Sequence, residues 1–322
     1  MISVLFVVGK YYDGFDNEFG GTTMEYHAVV NAFKESDEIK LDVHINENIG
    51  ETIDLLDEYD VIHVDDNITI EQLLKKGIIP DVIGPTARSP TKNIKANKLW
   101  KKKGLKVKDY YKAIVVRNNN SEERIDGYWD KIKYINLGVD IDEMKANNNC
   151  TKRWVLWAGD VTREAKNFQM FLDIMNTTKL PRDYNWKVMS SYKLSDYIDT
   201  LENTALVINT SLNETFWFAM FEANACGAPT IYKKGLHNPK GHKQKLKFHE
   251  DKNIQVEYTP EAYSKKILEL LKSKTKAKKA RIDARKYVVE KGSYESIRNS
   301  LFPIYEQVCK NKYGEECFSY ER

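Results

Sequence analysis

Short apolar runs of β-forming residues recur along the chain, each followed by a helical pattern, and few folds accept such an alternation. In the first half the runs are Val4–Val8, Leu41–Ile45, Tyr59–Val64, Asp81–Gly84, Ala113–Arg117 and Lys133–Leu137. Helix-like stretches lie between them at Met24–Phe33, Ile49–Glu58, Ile70–Lys76 and Thr91–Lys103. Strands alternating with helices predict a parallel sheet covered on both faces. The polar run Lys145–Arg153 reads as an interdomain linker.

A second alternation opens at Trp154–Ala158 and continues through Trp186–Met189, Ala205–Asn209 and Thr230–Tyr232, with Ile254–Tyr258 as one more strand. Its helices fall at Phe168–Met175, Ser195–Leu201 and Phe216–Cys226, and a helical tail follows at Pro260–Lys272, Lys274–Glu290 and Tyr294–Lys310. The expected class is α/β: two Rossmann-like, doubly wound parallel-sheet domains over 1–148 and 149–322, with a helical C-terminal tail. The last helix, 294–310, is expected to pack back on the first domain.

Composition agrees with an ordinary enzyme of about two domains: 322 residues, 42% of them hydrophobic and 11% aromatic. A net charge of +3 with 30% charged residues weighs against nucleic acid as a partner of the whole chain. The start, Met1-Ile-Ser-Val-Leu-Phe-Val-Val, has no basic leader and reads as a buried strand rather than a signal peptide. No apolar stretch approaches the length of a membrane span. Cys150, Cys226, Cys309 and Cys317 lack metal-ligand spacing, and so few thiols fit a reducing, cytoplasmic setting.

The most informative segment runs from Asn213 to Thr230, where Glu214 and Glu222 bracket the start of a short apolar helix after the strand Ala205–Asn209. In a strand–helix–strand unit the strand C-termini and helix N-termini face the ligand crevice. The two carboxylates would lie about 12 Å apart along the axis. One end would serve a charged group and the other hydroxyls, as a nucleotide-sugar requires. No Gly-x-Gly-x-x-Gly follows any strand and no Gly-x-x-x-x-Gly-Lys occurs, so neither a standard dinucleotide site nor a phosphate loop of that type is expected.

Four landmarks stand in order: Gly20-Gly21 after the first strand, Ile135-Asn-Leu-Gly-Val-Asp140, Ala158-Gly-Asp-Val-Thr-Arg-Glu-Ala-Lys166-Asn167, and Glu214…Glu222 with Ala225-Cys-Gly-Ala-Pro229. With them the chain resembles the retaining nucleotide-sugar glycosyltransferases of family 4, of GT-B fold, in a compact form such as a virus-encoded member. The similarity is strongest from Tyr134 to Tyr232 and returns at Ser293–Ile297 and Leu301–Tyr305. The resemblance implies transfer of a sugar from a nucleoside diphosphate sugar, such as one of UDP or GDP, to an acceptor hydroxyl with retention. It implies no cofactor and no metal, with Lys166 and helix N-termini carrying the phosphate charge.

By this resemblance Lys166 binds the donor phosphates and, with Glu214, serves catalysis beside the transferred centre. Glu222 accepts hydrogen bonds from the ribose hydroxyls, Gly20 and Gly21 bring backbone N–H groups to an anion, and Thr215 and Phe216 aim theirs at the diphosphate. The loop glycine, Gly159, is followed by Asp160 where the family has an arginine, which leaves Arg163 as the nearest replacement. Trp217 stands where the family commonly has glycine. On the first domain Asp65, Asp66 and Arg88 fall at strand ends on the acceptor side, whereas His63 reads as a packed core histidine. Two adjacent carboxylates without further clustered ligands do not make Asp65-Asp66 a metal site.

The expected acceptor is a glycan, a lipid or a protein-linked acceptor. Lys95–Lys112 holds eight lysines and one acid among apolar residues, which fits a solvated helix or peripheral contact with an anionic membrane. Asp160, Trp217 and the missing histidine near the donor sugar leave a second reading, a nucleotide-sugar-binding protein impaired in transfer. The lysine clusters leave a third, a glucosyltransferase that modifies nucleic acid.

Overall fold

The computed structural model describes residues 1–9, 21–84, 113–116, 132–135, 138–146, 153–190, 194–212, 218–236 and 254–314. The chain divides into two compact units, Met1–Leu137 together with Tyr294–Arg322, and Gly138–Ser293.

The first unit is built on a six-stranded sheet. Its strands are β1 (Ile2–Val8), β2 (Ile39–Ile45), β3 (Val61–Val64), β4 (Val82–Ile83), β5 (Ala113–Val116) and β6 (Ile132–Tyr134). They are ordered β2-β1-β3-β4-β5-β6 and every pairing is parallel. β1 runs at the middle, in register from Ile2 against Ile39 to Val8 against Ile45 on one side and from Val4 against Val61 on the other. It is buried along nearly its whole length, which is why it reads as a continuous apolar run rather than an alternating one. Ser3 is its one polar residue, and its N–H and hydroxyl both donate to Asp60 Oδ2 at 2.8 Å.

Helices α1 (Gly21–Phe33), α2 (Ile49–Leu55) and α3 (Asn67–Lys75) connect the first strands. α3 starts three residues earlier than the sequence pattern suggests. Asp66 caps it, accepting from Thr69 N and Thr69 Oγ1 at 2.7 Å each, so the polar Asn67 and exposed Ile68 join the first turn. β1 is followed in space by β2 on one side and β3 on the other, so the topological switch point of this sheet lies between β1 and β3.

The second unit carries β7 (Trp154–Ala158), β8 (Asn185–Met189), β9 (Thr204–Ile208), β10 (Thr230–Lys233) and β11 (Gln255–Val256), ordered β11-β10-β9-β7-β8 and again all parallel. Its switch point lies between β7 and β9. Helices α4 (Phe168–Thr177), α5 (Leu194–Glu202) and α6 (Phe218–Ala225) follow β7, β8 and β9, and α7 (Pro260–Leu271) and α8 (Lys274–Lys291) close the unit. α7 begins with Thr259 accepting from Ala262 N and with proline in the first turn, where its missing N–H costs nothing.

α6 is buried on almost every side, packed against α8 and β10. Two features seat it. Arg285 of α8 donates to the carbonyls of Ala225, at the C-terminal end of α6, and of Met144 and Ile141, so a cation meets the negative end of the helix. Gly292 lies against Phe221: a Cβ there would stand 2.0 Å from Phe221 Cδ1. Gly138 approaches Gly292 as closely, and Val139 N donates to Gly292 O at 2.8 Å within a parallel bridge to Ser293.

The last helix, α9 (Tyr294–Tyr313), belongs to the first unit and packs along α1, with the Phe33 and Tyr305 rings 5.7 Å apart. Cys226 is buried and forms no disulfide, whereas Cys309 is disulfide-bonded, which departs from the expectation of reduced cysteines. Among the described residues no helix is long and apolar enough to cross a membrane. The helix expected at Thr91–Lys103 and the lysine-rich segment Lys95–Lys112 lie outside the described residues.

Candidate functional site

The loops that follow β7 and β9 rise at the same edge of the second sheet, and they are tied together by hydrogen bonds that end mostly on main-chain oxygens. After β7 the chain makes a turn at Asp160–Thr162 and a short 3-10 helix, Glu164–Lys166, and reaches Asn167. Asn167 has φ of 47°, the left-handed region that asparagine tolerates better than most residues. Its side chain accepts from Met170 N to cap α4 and donates to Tyr258 OH at 2.7 Å. Tyr258 OH in turn donates to the main-chain oxygen of Thr210, two residues past β9, at 2.6 Å.

Thr210 is the centre of this lattice. Its hydroxyl accepts from the indole N–H of Trp157 and donates to the main-chain oxygen of Lys166, both at 2.9 Å. Leu212 N donates to Ala165 O at 2.9 Å, and Asn209 O accepts from Tyr263 OH at 2.8 Å. The backbone of Ala165–Lys166 is therefore held from the β9 side at two carbonyls, and the half-buried Lys166 side chain leaves the chain at a fixed point. Gly159 lies close to Trp157: a Cβ there would stand 3.2 Å from the indole, which would have to give by a few tenths of an ångström.

Glu222 lies in the second turn of α6 and is only 2% exposed. Its Oε1 is buried with no hydrogen-bond partner among the described residues. Burial alone pushes the carboxyl up to about 8. A carboxylate kept in such a place costs stability unless donors reach it.

Asp160 explains how an acid is accommodated in the β7 loop. Its Oδ1 accepts from Thr162 N at 2.9 Å and Thr162 Oγ1 at 2.7 Å, which holds the carboxyl below its usual range and closes the turn. Arg163 is exposed at the start of the 3-10 helix. Glu214, Thr215, Phe216 and Trp217 lie outside the described residues, as do Gly20 and Arg88. Gly21 is the first residue of α1.

On the first unit, Asp65 and Asp66 follow β3 at the switch point. Asp66 is the cap of α3, and its Oδ1 lies where a Cβ on Gly9, after β1, would come within 3.1 Å. Asp65 is 1% exposed, and its main-chain oxygen accepts from Tyr26 OH at 2.9 Å. His63 is fully buried, as expected of a core histidine. Its Nε2 is 2.6 Å from Gly84 O, which only accepts, so Nε2 carries the proton and Nδ1 accepts from Tyr305 OH at 2.7 Å. Burial pushes the ring down to about 4, and burial followed by the charge of Asp65 pushes the Tyr305 phenol above its usual range. Among the described residues no group of three or more His, Cys, Asp and Glu side chains gathers as a metal site would.

Thr210, Tyr258 and Asn167 were not singled out from sequence as site-forming. Asn167 carried a signal, an asparagine just before a helical pattern. The rest act across strands that are distant in sequence, and nothing local marks them.

No protein-family model matches the sequence, and no curated protein matches it. Solved structures match the fold. The sucrose-phosphate synthase of Thermosynechococcus elongatus superposes with a TM-score of 0.68 over 95% of this chain and 99% of that one, at 11% identity. HepE of Anabaena, solved in complex with UDP, gives 0.63 over 97% and 99% at 12% identity. An α-glucosyltransferase solved in complex with UDP and a 13-mer DNA containing an HMU base gives 0.62 over 95% and 99% at 11% identity. At these identities the likeness is one of fold: the two parallel sheets and the helical C-terminal region are those of GT-B glycosyltransferases.

Proposed function

We propose that the protein transfers a hexosyl group from a nucleoside diphosphate sugar to an acceptor hydroxyl with retention of configuration, without a metal. The observation that carries this reading is Glu222, a buried carboxylate on the helix that follows β9, with one oxygen that has no partner among the described residues. Ribose hydroxyls are donors of the kind it lacks, and a carboxylate accepts two of them in charge-assisted bonds. Support comes also from fold neighbours whose structures hold UDP.

In this reading Lys166 neutralises the charge that builds on the departing diphosphate. Backbone N–H groups at Thr215 and Phe216, and at Gly20 and Gly21, supplement it. Glu214 takes the role that the resemblance gives it, serving catalysis at the transferred centre. The bond from the anomeric carbon to the β-phosphate oxygen breaks, the acceptor oxygen attaches on the same face, and the acceptor proton passes to the leaving phosphate. Gly159 and Arg163 complete the donor side, and Asp65, Asp66 and Arg88 belong to the acceptor side.

The test is a thermal-shift panel of nucleoside diphosphates and their sugars, followed by NMR of the product anomer. At least one nucleoside diphosphate is expected to raise the melting temperature, and the rise is expected to vanish in Glu222→Ala and Lys166→Ala. No shift with any nucleotide refutes the reading. Binding without hydrolysis or transfer favours the impaired binding protein instead. Nucleic acid as acceptor is favoured by the exposed lysines of α8 and by the DNA-bound neighbour, although Lys276, Lys279 and Lys286 are paired with acids. Salt-dependent duplex binding is its requirement.

A further inference from the structure

We infer that Lys233 is a phosphate-binding residue of the donor site, its ammonium contacting the diphosphate from the β10 side. The inference rests on the reading of the site as one for a nucleoside diphosphate sugar, and it adds a residue that neither motif nor resemblance indicates.

Lys233 is the last residue of β10, two past Ile231, which pairs with Ile208 of β9. It therefore stands at the same C-terminal edge as the β7 and β9 loops. Its ammonium leans across β9: it donates to the main-chain oxygen of Leu212 and sits 5.0 Å from the centroid of the Tyr258 ring. Both contacts belong to the lattice around Thr210, since Leu212 N is bound to Ala165 O and Tyr258 OH to Thr210 O. Lys233 thus lies at the crevice, beside the loop that carries Lys166.

The charges of that loop create the need for it. Between Gly159 and Asn167 the acids Asp160 and Glu164 balance the bases Arg163 and Lys166, so the loop offers a diphosphate no net positive charge. Lys233 has no ion-pair partner among the described residues, whereas its neighbour Lys234 is paired with Glu257 at 2.6 Å. Partial burial lowers the Lys233 ammonium from its usual range, so an anion beside it restores a state the protein alone disfavours. An ammonium has three donors, and one is used on Leu212 O, which leaves two for phosphate oxygens.

Titration calorimetry on the full chain tests this, using UDP, GDP and ADP, each against its own nucleoside, with wild type, Lys233→Met and Lys233→Arg. Loss of one charge-assisted contact is expected to weaken the diphosphate that wild type binds by roughly tenfold or more. The matching nucleoside should stay within about twofold, because it makes no phosphate contact. The affinity of Lys233→Met should also respond less steeply to salt, and Lys233→Arg should recover most of the loss. An equal loss for nucleoside and diphosphate means that Lys233 only props the Leu212 carbonyl, and no loss removes it from the site; either result overturns the inference. Failure of wild type to bind any of the three diphosphates defeats the donor-site reading itself, so the wild-type titrations separate the two failures.

Discussion

Replacing Glu222 with Gln keeps the shape of the side chain and removes its charge, which isolates what the buried carboxylate costs. The folded protein binds this proton up to pH about 8, the unfolded chain only up to the ordinary 4.5. Between the two values the folded state holds a proton that the unfolded state has released, so the contribution to stability is full below pH 4.5 and is lost as pH rises through 8. The slope approaches about 1.4 kcal/mol per pH unit, and from pH 6 to 8 the loss sums to about 2 kcal/mol. Gln lacks this dependence, so Glu222→Gln should gain about 2 kcal/mol relative to wild type across that interval. His63 acts in the opposite sense. Its ring is pushed down to about 4, so its contribution is present above 6.5 and lost as pH falls towards 4. That term is common to both proteins and cancels in the difference. Urea unfolding at pH 6, 7 and 8 measures it, with Trp154, Trp157 and Trp186 reporting from the same unit as Glu222. A difference between the two proteins that does not change with pH refutes the account of Glu222. In the proposed function the same variant binds nucleotide more weakly while unfolding less readily at pH 8, a combination that a purely structural glutamate would not give.

Other substitutions probe the frame around the site. Tyr305→Phe leaves His63 Nδ1 buried without its donor and should cost about 1–3 kcal/mol in chemical unfolding. Gly292→Ala drives a methyl into Phe221 and should cost about 3 kcal/mol or more as α6 shifts; nucleotide affinity, read by the thermal-shift panel, should fall with it. Arg285→Met removes the cation that holds three carbonyls and should cost about 2–4 kcal/mol, seen as a lower urea midpoint at unchanged pH dependence.

The two parallel sheets were legible because their strands are buried on both faces and carry long apolar runs such as Ile2–Val8 and Thr204–Ile208. Parallel pairing followed from the alternation with helices, since each crossover returns the chain to the same edge, whereas the order of the strands was not read from the sequence. Boundaries were less legible. α3 begins at Asn67 because Asp66 caps it, and a single cap outweighs the apolar periodicity that pointed to Ile70. Glu222 stood out because Met220, Phe221, Ala223 and Ala225 around it predict burial, and the helix is indeed buried. The support of Lys166 was not legible. It depends on Thr210 and Tyr258, residues 44 and 91–92 positions away that look like ordinary strand-end and loop residues. Only the register of β7 beside β9 brings them to the loop.

That arrangement makes a last distinction testable. The β9 side grips the β7 loop through main-chain oxygens, those of Ala165 and Lys166. A loop fixed in this way keeps its path when its side chains change. Lys166→Ala should therefore cost less than about 1 kcal/mol of stability, as for an ordinary partly exposed lysine, yet abolish most nucleotide binding. Thr210→Val should do the reverse in order of cause. It strips the acceptor from the buried Trp157 N–H and the donor from Lys166 O, which costs about 1–3 kcal/mol of stability, and affinity falls only as far as the loop moves. Urea midpoints and nucleoside diphosphate affinities measured on both variants separate a ligand contact from its support. If Lys166→Ala destabilised the protein as much as Thr210→Val while leaving affinity intact, the lysine would be part of the frame and the backbone lattice would have another purpose.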